Sequence, residues 1–210
     1  MRSYNSSYIN SAMTCLGEMM DYAVNSCGIE PGKFFDTLIG LGYATAFESG
    51  NPKYVVGMSG HELAQRVIDE GNLSTNPFSD AEYACIYWCG WILAYYQWYT
   101  SVPFSDIIDC LGWDYLMKAY PALHTASEDK AVGTFSKILK KGQKTSRIQT
   151  ARLNYGYSQS QLATVAEINL RTLQEYENKR RNINRASGDV LRRLSRALSC
   201  RIEDIMEYEI

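Results

Sequence analysis

The sequence predicts an all-α protein of two domains. Three observations carry this: helical apolar spacing with cap residues recurs along the chain, few runs resemble strands, and charge divides sharply. The net charge of the 210 residues is only −2. Yet residues 1–129 hold 15 Asp/Glu against 5 Lys/Arg (net −10), and residues 130–210 hold 16 Lys/Arg against 8 Asp/Glu (net +8). A basic module joined to an acidic one is the composition of a nucleic-acid binder attached to a second task. All four Trp and 12 of the 16 Tyr lie in the acidic part. The polar, basic, glycine-containing stretch 140–146 places the boundary near residue 143, giving domains 1–142 and 143–210.

In the first domain, residues 5–27 read as an amphipathic helix through Ile9, Met13, Leu16, Met20 and Val24, ended by Gly28 in a left-handed cap. Pro31 opens a helix through Phe34, Phe35 and Leu38, stopped near Gly40 and Gly42. A short helix over 43–47 and a turn over 49–52 follow. Ser59 with Glu62 forms a capping box for a helix through Leu63, Val67 and Ile68, with His61 in its first turn as a partly exposed polar residue. Ser79 with Glu82 starts the helix taken as the centre of the domain.

Residues 83–105 contain no charge, a run long enough to span a membrane. Its aromatic residues are spread along it rather than gathered in two interfacial belts, and Gln97, Ser101 and Pro103 interrupt it. A buried core helix fits better, with some aromatic surface left to contact a partner protein or a ligand. Cys85 and Cys89 share a helical face, but no second Cys/His pair with ligand spacing exists, so the expectation is reduced core thiols and no metal. Helices over 104–111 and 114–120 follow, the second stopped before Pro121. Thr125 with Glu128 caps a last one through Val132, Phe135 and Leu139. There is no nucleophile–base constellation, no phosphate-binding glycine loop and no cofactor motif, so no enzyme is expected.

In the basic domain, residues 157–179 read as two short helices joined by a tight turn. Ser158 with Gln161 makes a capping box, and Leu162, Ala163 and Ala166 form one buried side. Ile168 closes the turn, Asn169 caps the next helix, and Leu173 and Tyr176 face inward. Arg171, Thr172, Gln174 and Glu175 remain outward, side chains of the kind that read base edges in a major groove.

The ordered set Ile148, Ala151, Arg152, Gly156, Ser158-Gln159, Leu162-Ala163, Ile168, Thr172, Tyr176-Glu177-Asn178, Leu191, Leu194, Ala197-Leu198 and 202–205 resembles the Cro/repressor (XRE) family over residues 146–207. The resemblance implies a five-helix lambda-repressor-like helix-turn-helix domain binding operator DNA, commonly as a homodimer. It places Gln159 at a phosphate or the groove edge and Arg171, Thr172 and Gln174 at the bases. Lys179, Arg180 and Arg181 lie against phosphates. Three departures stand out: Glu167 replaces the usual turn glycine and is expected at positive φ, Lys179 replaces a second glycine, and Leu170 stands where relatives often carry a polar reader, which fits either contact with a thymine methyl or a weakened, repurposed recognition helix.

The expected function is a sequence-specific transcriptional regulator, in the first place a repressor, acting on double-stranded DNA. The alternative is an antitoxin whose first domain neutralises a toxin while the helix-turn-helix represses its own operon. With no apolar leader in the first residues, the expected location is the cytoplasm.

Overall fold

The computed structural model describes residues 3–76, 83–142 and 145–208, and every regular element among them is helical. They group into two compact units, one up to Lys140 and one from Lys141 onward. The sequence boundary near residue 143 lies outside the described residues.

In the first unit, a 3-10 turn over Ser6–Tyr8 leads into α1 (Ile9–Asp21), which winds on as a π-helical turn over Tyr22–Ser26. The chain leaves through Gly28 at φ +66°. Glu30 caps α2 (Pro31–Gly40), its carboxylate accepting from the N–H groups of Gly32 and Lys33 at 2.9 and 2.6 Å. After α3 (Tyr43–Glu48), the expected turn forms over 49–51, with Gly50 at φ +67°, and Pro52, expected as its last residue, instead opens one helical turn, α4 (Pro52–Val55). Asn51 accepts from the Lys53 N–H at 3.1 Å, and Pro52 brings a preset φ to the first helical position. Ser59 caps α5 (Gly60–Glu70) by accepting from the Glu62 N–H at 3.2 Å. The expected start at Ser79 and Glu82 lies outside the described residues, and α6 is described as Tyr83–Thr100.

α7 (Phe104–Leu111) has the expected bounds, and α8 (Trp113–Leu123) corrects the reading that Pro121 ends a helix. A proline in a helix leaves the carbonyl four residues back without its donor. That carbonyl, on Met117, accepts the Cys85 thiol at 3.7 Å. The freed carbonyl is thus partnered by a core cysteine. Helix α9 (Glu128–Gly142) corrects a second expectation. Its first residue is Glu128, so Ser127 rather than Thr125 flanks it, and the Ser127 carbonyl accepts from Lys130 and Ala131.

Helix α1 packs along α6, α5 lies on α1, and α7 and α8 pack on α6. Ile86, Cys89, Ile92, Leu93 and Tyr96 of α6 are buried, with Trp88 and Trp98. At Gly90 an added Cβ would stand 2.4 Å from the Leu16 carbonyl oxygen, so α1 and α6 touch nearly backbone to backbone. Tyr87, Trp91, Tyr95 and Tyr99, spaced by four, form a half-buried aromatic side of α6. The segment before α1 is stitched to the far end of α6: Ser3 N–H donates to the Trp98 carbonyl at 3.1 Å, and the Trp98 indole N–H to the Tyr4 carbonyl at 2.9 Å. Among the described residues, no helix is long and apolar enough to cross a membrane. All six cysteines are free thiols.

The second unit holds α10 (Arg147–Tyr155), α11 (Gln159–Val165), α12 (Leu170–Glu177), α13 (Gly188–Ala197) and α14 (Ile202–Ile205). A 3-10 turn over Ile183–Arg185 lies between α12 and α13. Ile148, Leu162, Leu173, Tyr176, Leu191, Leu194 and Ile205 close one apolar core drawn from all five helices.

Candidate nucleic-acid interface

Helices α11 and α12 are positioned by their caps. Ser158 Oγ accepts from the Gln161 N–H at 3.2 Å, and Gln161 Oε1 in turn accepts from the Ser158 N–H at 2.8 Å. Both halves of the capping box are thus formed. Asn169 Oδ1 accepts from the Arg171 N–H at 2.8 Å and starts α12. Glu167 in the intervening turn has φ +51°, and Lys179 after α12 has φ +55°, the left-handed conformations for which glycine is the usual residue. At the first of these, Arg193 secures the turn, donating from Nη1 to the Glu167 carbonyl at 2.7 Å.

Leu173 and Tyr176 face the core as expected. Of the expected base readers, Arg171 has 87% of its side chain exposed and lies 3.5 Å from Glu175. Thr172 is half-buried and Leu170 is 37% exposed. Gln174 is half-buried and donates from Nε2 to Gln159 Oε1 at 3.3 Å. Gln159, expected at the groove edge, is bonded to protein at both ends of its amide.

Sequence reasoning gave no role to what lies beneath them. The guanidinium of Arg152 meets the carboxylate of Glu177 through Nε–Oε1 at 2.7 Å and Nη2–Oε2 at 3.0 Å, with side-chain exposures of 8% and 1%. Arg152 Nη1 also donates to the Tyr157 carbonyl at 2.7 Å, and Gln159 Nε2 donates to Glu177 Oε2 at 2.8 Å. The hydrogen bonds that Arg152 donates to Glu177 raise its pKa above the ordinary value, against the opposing effect of burial. A sequence signal for this pair does exist. Arg152 stands four residues after buried Ile148, and Glu177 four after buried Leu173, so opposite charges occupy inward positions on two helices.

The basic residues after α12 differ in their engagement. Arg180 and Arg181 are exposed side chains whose backbone N–H groups both donate to the Glu175 carbonyl, which orders the loop. The Arg181 guanidinium also lies 5.5 Å from the centre of the Tyr176 ring. Lys179 Nζ lies 3.8 Å from Glu207. On α13, Arg192 and Arg193 both pair with Asp189, at 2.9 and 3.1 Å, while Arg196 is exposed. The bond from Arg192 and the neighbouring charge of Arg193 hold the Asp189 carboxyl below its ordinary pKa.

Two capped helices joined by a tight turn, packed into a five-helix core and followed by an exposed basic loop, define a helix-turn-helix DNA-binding domain. Residues 134–209 match the family of Cro/C1-type HTH DNA-binding domains, and the chain before them matches no family. The C-terminal third is therefore a Cro/C1-type domain, and the chain is of the DNA-binding regulator class. No curated protein and no solved structure matches the chain.

Proposed function

We propose that the protein is a sequence-specific transcriptional repressor whose α12 enters the major groove of a double-stranded operator. The observation that carries this is the capped α11–α12 pair with Arg171, Arg180 and Arg181 exposed on and just after α12. Arg171, Thr172, Gln174 and Leu170 face the bases, while Gln159, Lys179, Arg180 and Arg181 serve the phosphates and the groove edge. One such domain reaches only a short stretch of DNA, so the active species is a homodimer on a two-fold operator. The proposal includes no catalytic step. A footprint of the full chain on the DNA upstream of its own gene tests it. Protection of two half-sites one helical turn apart supports the reading, and equal affinity for that DNA and for a scrambled duplex overturns it.

The antitoxin reading is favoured by one feature, the half-buried aromatic side of α6 in an acidic unit. Tyr and Trp are the residues that anchor protein contacts, and the charge suits a basic partner. Co-purification from the native host separates the two. A stable complex with the product of a neighbouring gene supports the antitoxin, and its absence leaves a stand-alone repressor.

A further inference from the structure

The amides of Gln159 and Gln174 end a chain of hydrogen bonds in which each link dictates the next. A guanidinium only donates and an ionised carboxylate only accepts. Paired to Arg152, Glu177 is held as an acceptor beside Gln159, so the atom that Gln159 presents at 2.8 Å is its Nε2. This turns Gln159 Oε1 toward Gln174, which meets it with its own Nε2 at 3.3 Å. Gln174 then retains one N–H and its carbonyl oxygen for an outside partner.

An unanchored glutamine amide turns easily about its last torsion. It shows a donor to some bases and an acceptor to others. An anchored amide shows one N–H and one C=O in a fixed order. In the major groove that pair matches adenine, which offers N7 as acceptor and N6–H as donor. Leu170, at the start of α12, has no polar group to compete for this amide.

We infer that Glu177 and Gln159 are positioning residues for base reading, and that they fix Gln174 to select an adenine. The inference rests on the proposed role of α12 as the reading helix. Glu177 touches no base in this scheme; it acts through Gln159. The buried ion pair thereby sets the polarity of the surface above it as well as holding α10 to α12.

The test is selection of full-length protein on randomised duplexes, comparing wild type with Gln174→Ala and Gln159→Leu. The second substitution cuts the relay and leaves the Arg152–Glu177 pair intact. Each base preference is divided by the affinity for scrambled duplex, so a lost phosphate contact or a weakened fold cancels. Gln174→Ala is expected to lower the preference for adenine at one base pair by about 5- to 140-fold, the discrimination of one bidentate contact. Gln159→Leu is expected to reproduce most of that loss at the same pair and to spare the others. If Gln159→Leu keeps the adenine preference, or erodes every position evenly, the positioning role is overturned while α12 stands as a reading helix. If the pair that depends on Gln174 prefers another base, the adenine assignment falls. A wild-type protein that selects no sequence overturns the proposed function and this inference together.

Discussion

Replacing Glu177 by Gln should destabilise the second unit out of proportion to the single oxygen exchanged for an NH2 group. The substitution preserves shape, but it removes the charge that balances Arg152 and sets an amide N–H against a guanidinium N–H. Three donors lose or share an acceptor: Arg152 Nε, Arg152 Nη2 and Gln159 Nε2. Each buried polar group left unpaired costs about 1–3 kcal/mol, and breaking one partner of a buried ion pair costs about 3–5 kcal/mol. Against the roughly 5–15 kcal/mol that holds an ordinary domain together, such a loss leaves a domain of this size close to unfolding. Replacing both partners, Arg152→Met with Glu177→Leu, removes charge and partner together and should restore most of the stability. The assay follows from the composition. All four Trp belong to the first unit, so Trp fluorescence in urea reports that unit alone, while amide hydrogen exchange across α10 and α12 reports the second. The expected result is an unmoved Trp transition with much faster exchange in Glu177→Gln and slower exchange again in the double variant. A loss below about 1 kcal/mol for Glu177→Gln, or a double variant as damaged as the single, would refute the reasoning.

Arg180→Ala and Arg181→Ala should each weaken operator and scrambled DNA alike and lower the slope of log affinity against log salt by about 1, read from titrations at several salt concentrations. Arg171→Ala should instead cost about 1–3 kcal/mol of preference for operator over scrambled duplex, measured by competition binding. Gly90→Ala should destabilise the first unit by about 1–3 kcal/mol in Trp-monitored urea unfolding, because its methyl would meet the Leu16 carbonyl. The Cys15 pKa is pushed up to about 12 from 9.0, first by burial and then by the Glu18 charge. The folded state thus holds this proton more tightly than the unfolded chain, and its stabilisation is complete below pH 9 and lost as pH rises toward 12. Over that window Cys15→Ala should show a shallower fall of the Trp-monitored urea midpoint than wild type.

What could be read in the sequence was local. The caps at Ser59, Ser158 and Asn169 bond to N–H groups two or three residues away, and the structure forms each of them. The positive φ of Glu167 was legible because a side chain stood where the resemblance has glycine. The misses were compensations supplied from far along the chain. Pro121 lies inside its helix, and the Met117 carbonyl that it frees is met by Cys85, 32 residues distant. The partners Arg152 and Glu177 stand 25 residues apart, and nothing within either helix alone says that its inward charge will be met. Gln159 and Gln174 could be marked as polar and exposed to reading, but their mutual bond depends on how α11 and α12 pack.

The stitching of Ser3 and Tyr4 to Trp98 bears on the order in which the two units acquire structure. Those bonds join residues more than 90 apart, and α1 finds its main partner α6 only after five other helical segments have been made. Contacts between distant parts of a chain pay loop-closure entropy before they return any free energy, and they slow folding accordingly. During synthesis α1 therefore emerges well before α6, and although α5 can reach it sooner, its main contact closes only once about residue 100 has left the ribosome. In the second unit α11 and α12 are adjacent in sequence and can pair as soon as both are free. The large aromatic unit, although made first, has the longer wait between emergence and closure, and that interval is when a chaperone or a co-translational partner would find it.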